Sequence, residues 1–473
     1  MSEDKKIIKS TILVTIFSIS GIFVGLFLQL LIAESYGASI LRDLYFISIA
    51  IPLFLSNVIN GSFGLIFLPK IIGVIQEGEK TRINEFITTS FIFILTFILF
   101  ILSIFWIFNQ FLIRLIFSSY NLVDQNYIAE LLFILMPTII FNVFSNLMAS
   151  LYQIKSNFFV PAAVVIFSSI FNILFFHSFN ELLGIKSLAY GYLLGTIFSS
   201  IILLPSLFVF RFKFKFSNWD LINVLKTSFP LFLGGLFFRS TNILEKYLAS
   251  RLVIGSISYL GYSSQILVVL GTLTSNGIGT TIYPVLSECW SKKNFVGFLN
   301  YFNKSIRIIL LLTIPISFFI LFFGEFIVAL IFERGEFTNE TTLVVSKVLK
   351  YSIPAFVFQG LGTVLAKLFY ISGKTNITTA ISFFETVTFL ILSIFLMKNY
   401  SYIGISISLS ISTFINIILS FYFAERFVIK FNFKKLLLDA FKIFLISMAS
   451  LFFVKYLFDS ICFLGLFYSL FLS

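Results

Sequence analysis

Phe108-Asn-Gln-Phe111-Leu-Ile-Arg-Leu115-Ile116-Phe117 and Phe323-Gly-Glu-Phe326-Ile-Val-Ala-Leu330-Ile331-Phe332 are two versions of one stretch, 215 positions apart. Asn60-Gly61 ahead of Pro69 returns as Asn276-Gly277 ahead of Pro284. Pro137, Phe141, Ala149, Leu151 and Ile154 return as Pro354, Phe358, Ala366, Leu368 and Ile371. Three separate matches at nearly one displacement mark an internal duplication. Duplicated membrane proteins carry their substrate site near mid-bilayer, between the repeats, so transport is the first reading.

With 59% hydrophobic and 11% charged residues and a mean hydropathy of +1.04, the chain is excluded from the ordinary soluble globules. Hydrocarbon about 30 Å thick takes roughly 20 apolar residues per helix. The sequence predicts spans near 11–33, 44–69, 87–109, 129–153, 158–180 and 186–210, then near 226–250, 257–285, 303–324, 344–370, 375–397 and 401–424, and one more near 436–457. Residues 460–473 are short for a fourteenth. Lys5, Lys6 and Lys9 precede the first span, whose apolar run is too long for a signal peptide, so it reads as an uncleaved helix.

The expected fold is an all-α polytopic membrane protein: two six-helix repeats around a central cavity, plus one or two C-terminal helices. Six spans return the chain to its starting side, so the repeats are parallel. The lobes are expected at 1–210 and 223–430, joined by a cytoplasmic linker at 211–222 and followed by additional helices at 431–473. With the N-terminus in the cytoplasm, the inner segments hold 20 Lys and Arg and the outer loops seven, the bias that sets orientation. This places a multi-pass protein in an inner membrane. The net charge of +12 is therefore mostly topological, and its scatter over short loops argues against nucleic acid.

Chemistry has few carriers. No nucleophile–base set, nucleotide-binding loop or paired-carboxylate site is present, so the chain reads as no enzyme, and transport would draw on an ion, potential or substrate gradient. Cys289 and Cys462 stand alone, so neither a cofactor nor a metal is expected. His177 reads as interfacial packing.

Ionisable groups inside spans are costly and face cavities or partners. In the seventh span Arg239 and Lys246, seven residues apart, share a helical face. There they suit a diphosphate, and neutralisation by Glu245 within the bundle is the alternative. Arg42-Asp43 opens the second span, where Asp43 has proton coupling, an external gate or an interfacial salt bridge open to it. Glu385, deep in the eleventh span, is a candidate for ion coupling or for pairing with Lys367 or Lys350. Lys347 and Lys350 suit snorkelling outward. Asn60-Gly61 and Asn276-Gly277 fit a hinge in each lobe, or simple close packing.

Ile8-Lys9-Ser10 through Tyr45-Phe46, with Tyr36-Gly37-Ala38 and Asp43, resembles the N-terminal region of the MurJ/MviN lipid II flippases, as do Pro52 and Gly61-Ser62-Phe63 before Pro69. Ser258-Tyr259 through Tyr283-Pro284 is similar as well. Leu330-Ile331-Phe332-Glu333-Arg334-Gly335-Glu336-Phe337-Thr338 resembles that family's external Leu-Phe-Glu-Arg-Gly-x-Phe motif and is the most specific match. The resemblance covers nearly the whole chain. It implies the multidrug/oligosaccharidyl-lipid/polysaccharide exporter fold, with helices after the second lobe forming a lipid-tail groove, and it suggests gating roles for Glu333, Arg334 and Gly335. Positions where the family lines its cavity with arginine hold Ile22, Leu28, Ser56 and Gln265 here. Arg239 and Lys246 would then supply much of the attraction for a diphosphate, with Asp43 and Gln265 beside them.

The expected function is a flippase for an undecaprenyl-diphosphate-linked saccharide, either lipid II or a surface-polysaccharide unit, working by alternating access. Its partners would be that substrate, the bilayer and envelope glycan-synthesis proteins. An ion-coupled exporter of small organic or cationic molecules is the runner-up, with Asp43 or Glu385 as the coupling group. A membrane glycan polymerase lacks a sizeable outer loop, and a non-transporting scaffold would also account for the lost arginines.

Overall fold

The computed structural model describes residues 3–76, 80–154, 157, 159–209, 232, 234–237, 239–431 and 433–471. Packing divides the chain into two units, Met1–Ser258 and Tyr259–Ser473. The expected linker at 211–222 lies outside the described residues, as does the start of the seventh span.

The first unit holds α1 (Glu3–Tyr36), α2 (Ile40–Gln76), α3 (Lys80–Ile116), α4 (Leu122–Leu135), α5 (Thr138–Ile154), α6 (Phe159–Leu183), α7 (Lys186–Leu203), the short α8 (Pro205–Val209) and α9 (Thr241–Ala249). Apolar runs make these helices, and local polar groups end them. Gly37, at φ 50°, closes α1, and Asn121 caps α4 by accepting from the Asp124 N–H at 2.8 Å. Between lipid-embedded helices there is little hydrophobic drive, so close approach through small residues matters most. Gly191 and Gly195 of α7 fit against Asn172 and Ser168 of α6, where a Cβ on Gly191 would come within 2.5 Å of the Asn172 carboxamide. The exposed face of α3, with Phe100, Ile107, Phe111 and Leu115, is the kind of surface lipid covers.

The second unit begins inside α10 (Ser256–Gly271), whose first three residues belong to the first unit, and continues through a π-helical turn (Thr272–Asn276), α11 (Gly277–Ser291), α12 (Phe295–Phe332), α13 (Asn339–Ile371), α14 (Thr375–Phe427) and α15 (Phe433–Phe471). Its core joins Phe298, Phe302 and Ile309 of α12 to Val364, Leu365 and Leu368 of α13. The C-terminal α15 docks on α12 through Arg307 and Asp439 at 2.7 Å and through the edge-on rings of Phe318 and Phe444.

Ten helices among the described residues are long and apolar enough to cross a bilayer. The longest, α14, has 53 residues and breaks at Ser401 (φ 51°, ψ −135°), which makes it two crossings. That makes eleven crossings among the described residues, beside the shorter apolar helix Ser20–Tyr36 within α1, and the first part of the expected seventh span lies outside the described residues. Residues 460–471 continue α15 without a turn, so they form no fourteenth crossing. The duplicated stretch ends α3 in one unit and α12 in the other. Pro137 separates α4 from α5, whereas its counterpart Pro354 lies inside an uninterrupted α13.

Candidate functional site

The turn at Gly37-Ala38-Ser39 starts α2 and places Arg42 and Asp43 in its first turns. Arg42 is completely buried. Its guanidinium donates to Gln29 Oε1 of α1 at 2.5 Å and lies 3.7 Å from the centre of the Phe46 ring. Lys246 of α9 approaches the same ring at 5.5 Å, and its Nζ is 4.0 Å from Glu245 Oε1. Two cations thus share one aromatic ring in a nearly closed environment, where the ring quadrupole offsets part of their desolvation. Glu245 is buried, and its Oε1 accepts no hydrogen bond, so the neighbouring ammonium is its main compensation.

Asp43 faces the other way. Its Oδ2 accepts from the Gly255 N–H at 2.7 Å, and its Oδ1 accepts from the Ser258 N–H at 2.8 Å and the Ser258 hydroxyl at 2.6 Å. The Ser258 N–H is a first-turn donor of α10 without a partner in the helix, and the Gly255 N–H lies just ahead of it, so the carboxylate caps the chain reversal after α9. With both oxygens engaged, Asp43 acts here by closing this turn.

The expectation that Arg239 and Lys246 share a helical face is not met. The helix breaks at Arg239 and Ser240, and α9 starts at Thr241. Arg239 is exposed, and its guanidinium rests on α2 at Gly61, where a Cβ would come within 2.8 Å of the terminal nitrogen. Gly61 and Phe46 are fifteen residues apart on α2, about 22 Å along its axis. The two cations therefore address well-separated points of α2 and do not form one clamp.

The two Asn-Gly pairs differ in setting. Asn60 is half-buried within continuous α2, and Gly61 makes room for Arg239. Asn276 ends the π-helical turn, and a Cβ on Gly277 would meet open space, so tight packing does not explain that glycine. A π-turn inside a span loosens the regular hydrogen-bond ladder.

In the second unit Glu385 accepts from Asn416 Nδ2 at 2.6 Å, and Ser420 donates to Asn416 Oδ1 at 3.2 Å. It pairs with neither lysine considered for it: Lys350 bonds Glu325 at 2.9 Å, and Lys367 lies over the Tyr283 ring. Gln265 is half-buried on α10. The Leu330–Thr338 motif builds a hairpin. Arg334 donates to the Leu330 and Ile331 carbonyls at the end of α12, Gly335 takes φ 56°, and Phe337 packs on Tyr262 and Phe332. Glu333 accepts from Thr342 at 2.7 Å, and Thr338 caps α13.

Of the positions that the resemblance matches to cavity arginines, Ile22 and Leu28 are half-buried on α1, and Ser56 is buried on α2 with no hydrogen bond for its hydroxyl. Gln29 and Phe46 were missed in the sequence. A lone glutamine in an apolar run was the signal for the first, and nothing distinguished the second among 67 phenylalanines. No cluster of three His, Cys, Asp or Glu able to hold a metal occurs among the described residues.

A family model described as "Lipid II flippase MurJ" matches residues 9–472. A probable lipid II flippase MurJ of Buchnera aphidicola from Schizaphis graminum is 28% identical over 427 residues, covering 88% of this chain and 83% of the relative. The lipid II flippase MurJ of Thermosipho africanus is 26% identical, covering 92% of this chain and 89% of its own length. Among solved structures, a lipid II flippase MurJ in an inward closed conformation aligns with a TM-score of 0.84 at 25% identity, covering 95% of this chain and 93% of that one. An inward-facing multidrug MATE transporter aligns with a TM-score of 0.68 at 16% identity, covering 86% and 93%, a likeness of fold.

Proposed function

This chain belongs to the lipid II flippase MurJ family, and from that premise we propose that it moves lipid II from the inner to the outer leaflet of the bacterial inner membrane. It is a multi-pass transporter and not an enzyme. The N-terminus is assigned to the cytoplasm from the Lys and Arg bias.

The observation that carries the mechanism is the placement of cations along α2. Arg239 is exposed beside Gly61, and Lys246 with Arg42 is enclosed around Phe46. A diphosphate is the anion these groups suit, with Arg offering paired donors and Lys a compact point charge. The diphosphate first meets Arg239 and passes to Lys246 as alternating access opens the enclosed cluster. Asp43, holding Gly255 and Ser258, keeps the outer end shut until then. Gln265 offers a neutral hydrogen-bonding group to the saccharide, and Glu385 with Asn416 serves ion coupling. The Asn60-Gly61 and Asn276-Gly277 positions serve as flexing points.

A small-cation exporter on this fold would want free carboxylates. Both oxygens of Asp43 are already bonded, to Gly255 and Ser258, and this favours the flippase.

The test is leaflet access of lipid II in cells depleted of their own lipid II flippase and supplied with this chain. Restored outer-leaflet lipid II is the expected result. Persistent inner-leaflet accumulation, with the protein inserted, refutes the assignment.

A further inference from the structure

We propose that Lys367, seated on the ring of Tyr283, is a positioning contact for the phosphate-bearing headgroup of the lipid-linked substrate as it enters. The inference rests on the flippase reading above.

Three neighbours of Lys367 on α13, namely Val364, Leu365 and Leu368, are completely buried in the core of the second unit. Lys367 projects from the other face, toward α11. There Thr363 packs against Gly279, and one turn further on in each helix the Lys367 ammonium lies 5.3 Å from the Tyr283 ring. The Tyr370 ring stands 6.0 Å from the same ammonium. Both contacts are with ring faces. No carboxylate and no hydrogen-bond acceptor among the described residues engages the ammonium, so its three N–H donors remain uncommitted. By contrast, Lys350 and Lys292 of this unit are each paired with a carboxylate, Glu325 and Glu288.

A half-buried ammonium without a counter-anion is costly in a span. Ring faces lower that cost by cation–π attraction while leaving the donors open. They also fix a flexible side chain in place, which reduces the entropy lost on binding. Lys367 stands four residues before the end of α13, about 6 Å along the helix, a depth where headgroup phosphates lie. With the N-terminus in the cytoplasm, that end faces the inner leaflet, from which the substrate is drawn. Lysine is a point-charge phosphate ligand, and it tolerates the changing orientation of a diphosphate on entry.

The shared chemistry, a lipid phosphate, has two sources: the diphosphate of the substrate and the phosphodiester of bulk phospholipid. Binding of undecaprenyl diphosphate and of phosphatidylglycerol to the purified full-length protein, titrated by native mass spectrometry, separates them. Lys367→Gln is expected to weaken undecaprenyl diphosphate binding about tenfold, the scale of one charge-assisted contact. Lys367→Arg should restore it. Tyr283→Phe should bind as wild type and Tyr283→Leu should not, and phosphatidylglycerol should be unaffected throughout. Wild-type affinity for undecaprenyl diphosphate in Lys367→Gln overturns the proposal while leaving the flippase reading intact. An equal loss for phosphatidylglycerol also overturns it, because the site would then belong to bulk lipid. Failure of the wild type itself to bind undecaprenyl diphosphate overturns the flippase reading and this contact with it.

Discussion

Asp43 Oδ1 receives two hydrogen bonds from Ser258, from the backbone N–H at 2.8 Å and from the hydroxyl at 2.6 Å, while Oδ2 takes the Gly255 N–H. A carboxylate so placed satisfies orphan donors and meets the positive end of the helix. Asp43→Asn keeps an acceptor and loses the charge, so it should lower stability by about 1 kcal/mol, and Asp43→Ala by about 2 kcal/mol. Denaturant unfolding of the solubilised protein measures both. Wild-type stability in Asp43→Ala contradicts the capping role.

Gly61 matters for what it lacks. A side chain there would occupy the place of the Arg239 guanidinium. Gly61→Leu should therefore weaken binding of undecaprenyl diphosphate about as much as Arg239→Gln, roughly tenfold, with every charge retained. A titration in which Gly61→Leu binds as wild type while Arg239→Gln does not would sever the link between the two positions.

The hairpin at Glu333–Phe337 is a structural device. Gly335 holds a left-handed φ of 56°, and Glu333 ties the turn to Thr342. Gly335→Ala should cost about 1–2 kcal/mol in stability through backbone strain. Correctly inserted protein should still flip lipid II near the wild-type rate. A large loss of flipping at unchanged stability would return this motif to a gating role.

Glu385 is bonded to Asn416 in the middle of a span. Glu385→Gln keeps the size and removes the charge. The rate of lipid II translocation should then lose its dependence on the ion gradient while binding persists. Dependence equal to wild type would remove Glu385 from coupling.

The sequence carried the architecture well. The duplication at Phe108–Phe117 and Phe323–Phe332 maps onto the ends of α3 and α12, and hydropathy placed the long apolar helices found among the described residues. Such features are local or periodic, so one sequence displays them. The site was only half legible. Arg42, Asp43, Lys246 and Arg239 stood out as charges in apolar runs, but their partners did not. The break at Arg239 and Ser240 sits in a run that reads as continuous helix, and it undoes the face that a seven-residue spacing implies. The seat of Arg239 on Gly61, the sharing of Phe46 by two cations and the capping of Ser258 by Asp43 all arise from the approach of distant segments. Residue types alone do not encode that approach.

The most direct measurement is leaflet access of lipid II in cells that depend on this chain, comparing wild type with Arg239→Ala/Lys246→Ala. Lipid II should accumulate in the inner leaflet of the double mutant, with the protein still inserted in the membrane. Translocation at the wild-type rate would contradict the account, because the cations spaced along α2 would then not be what carries the diphosphate.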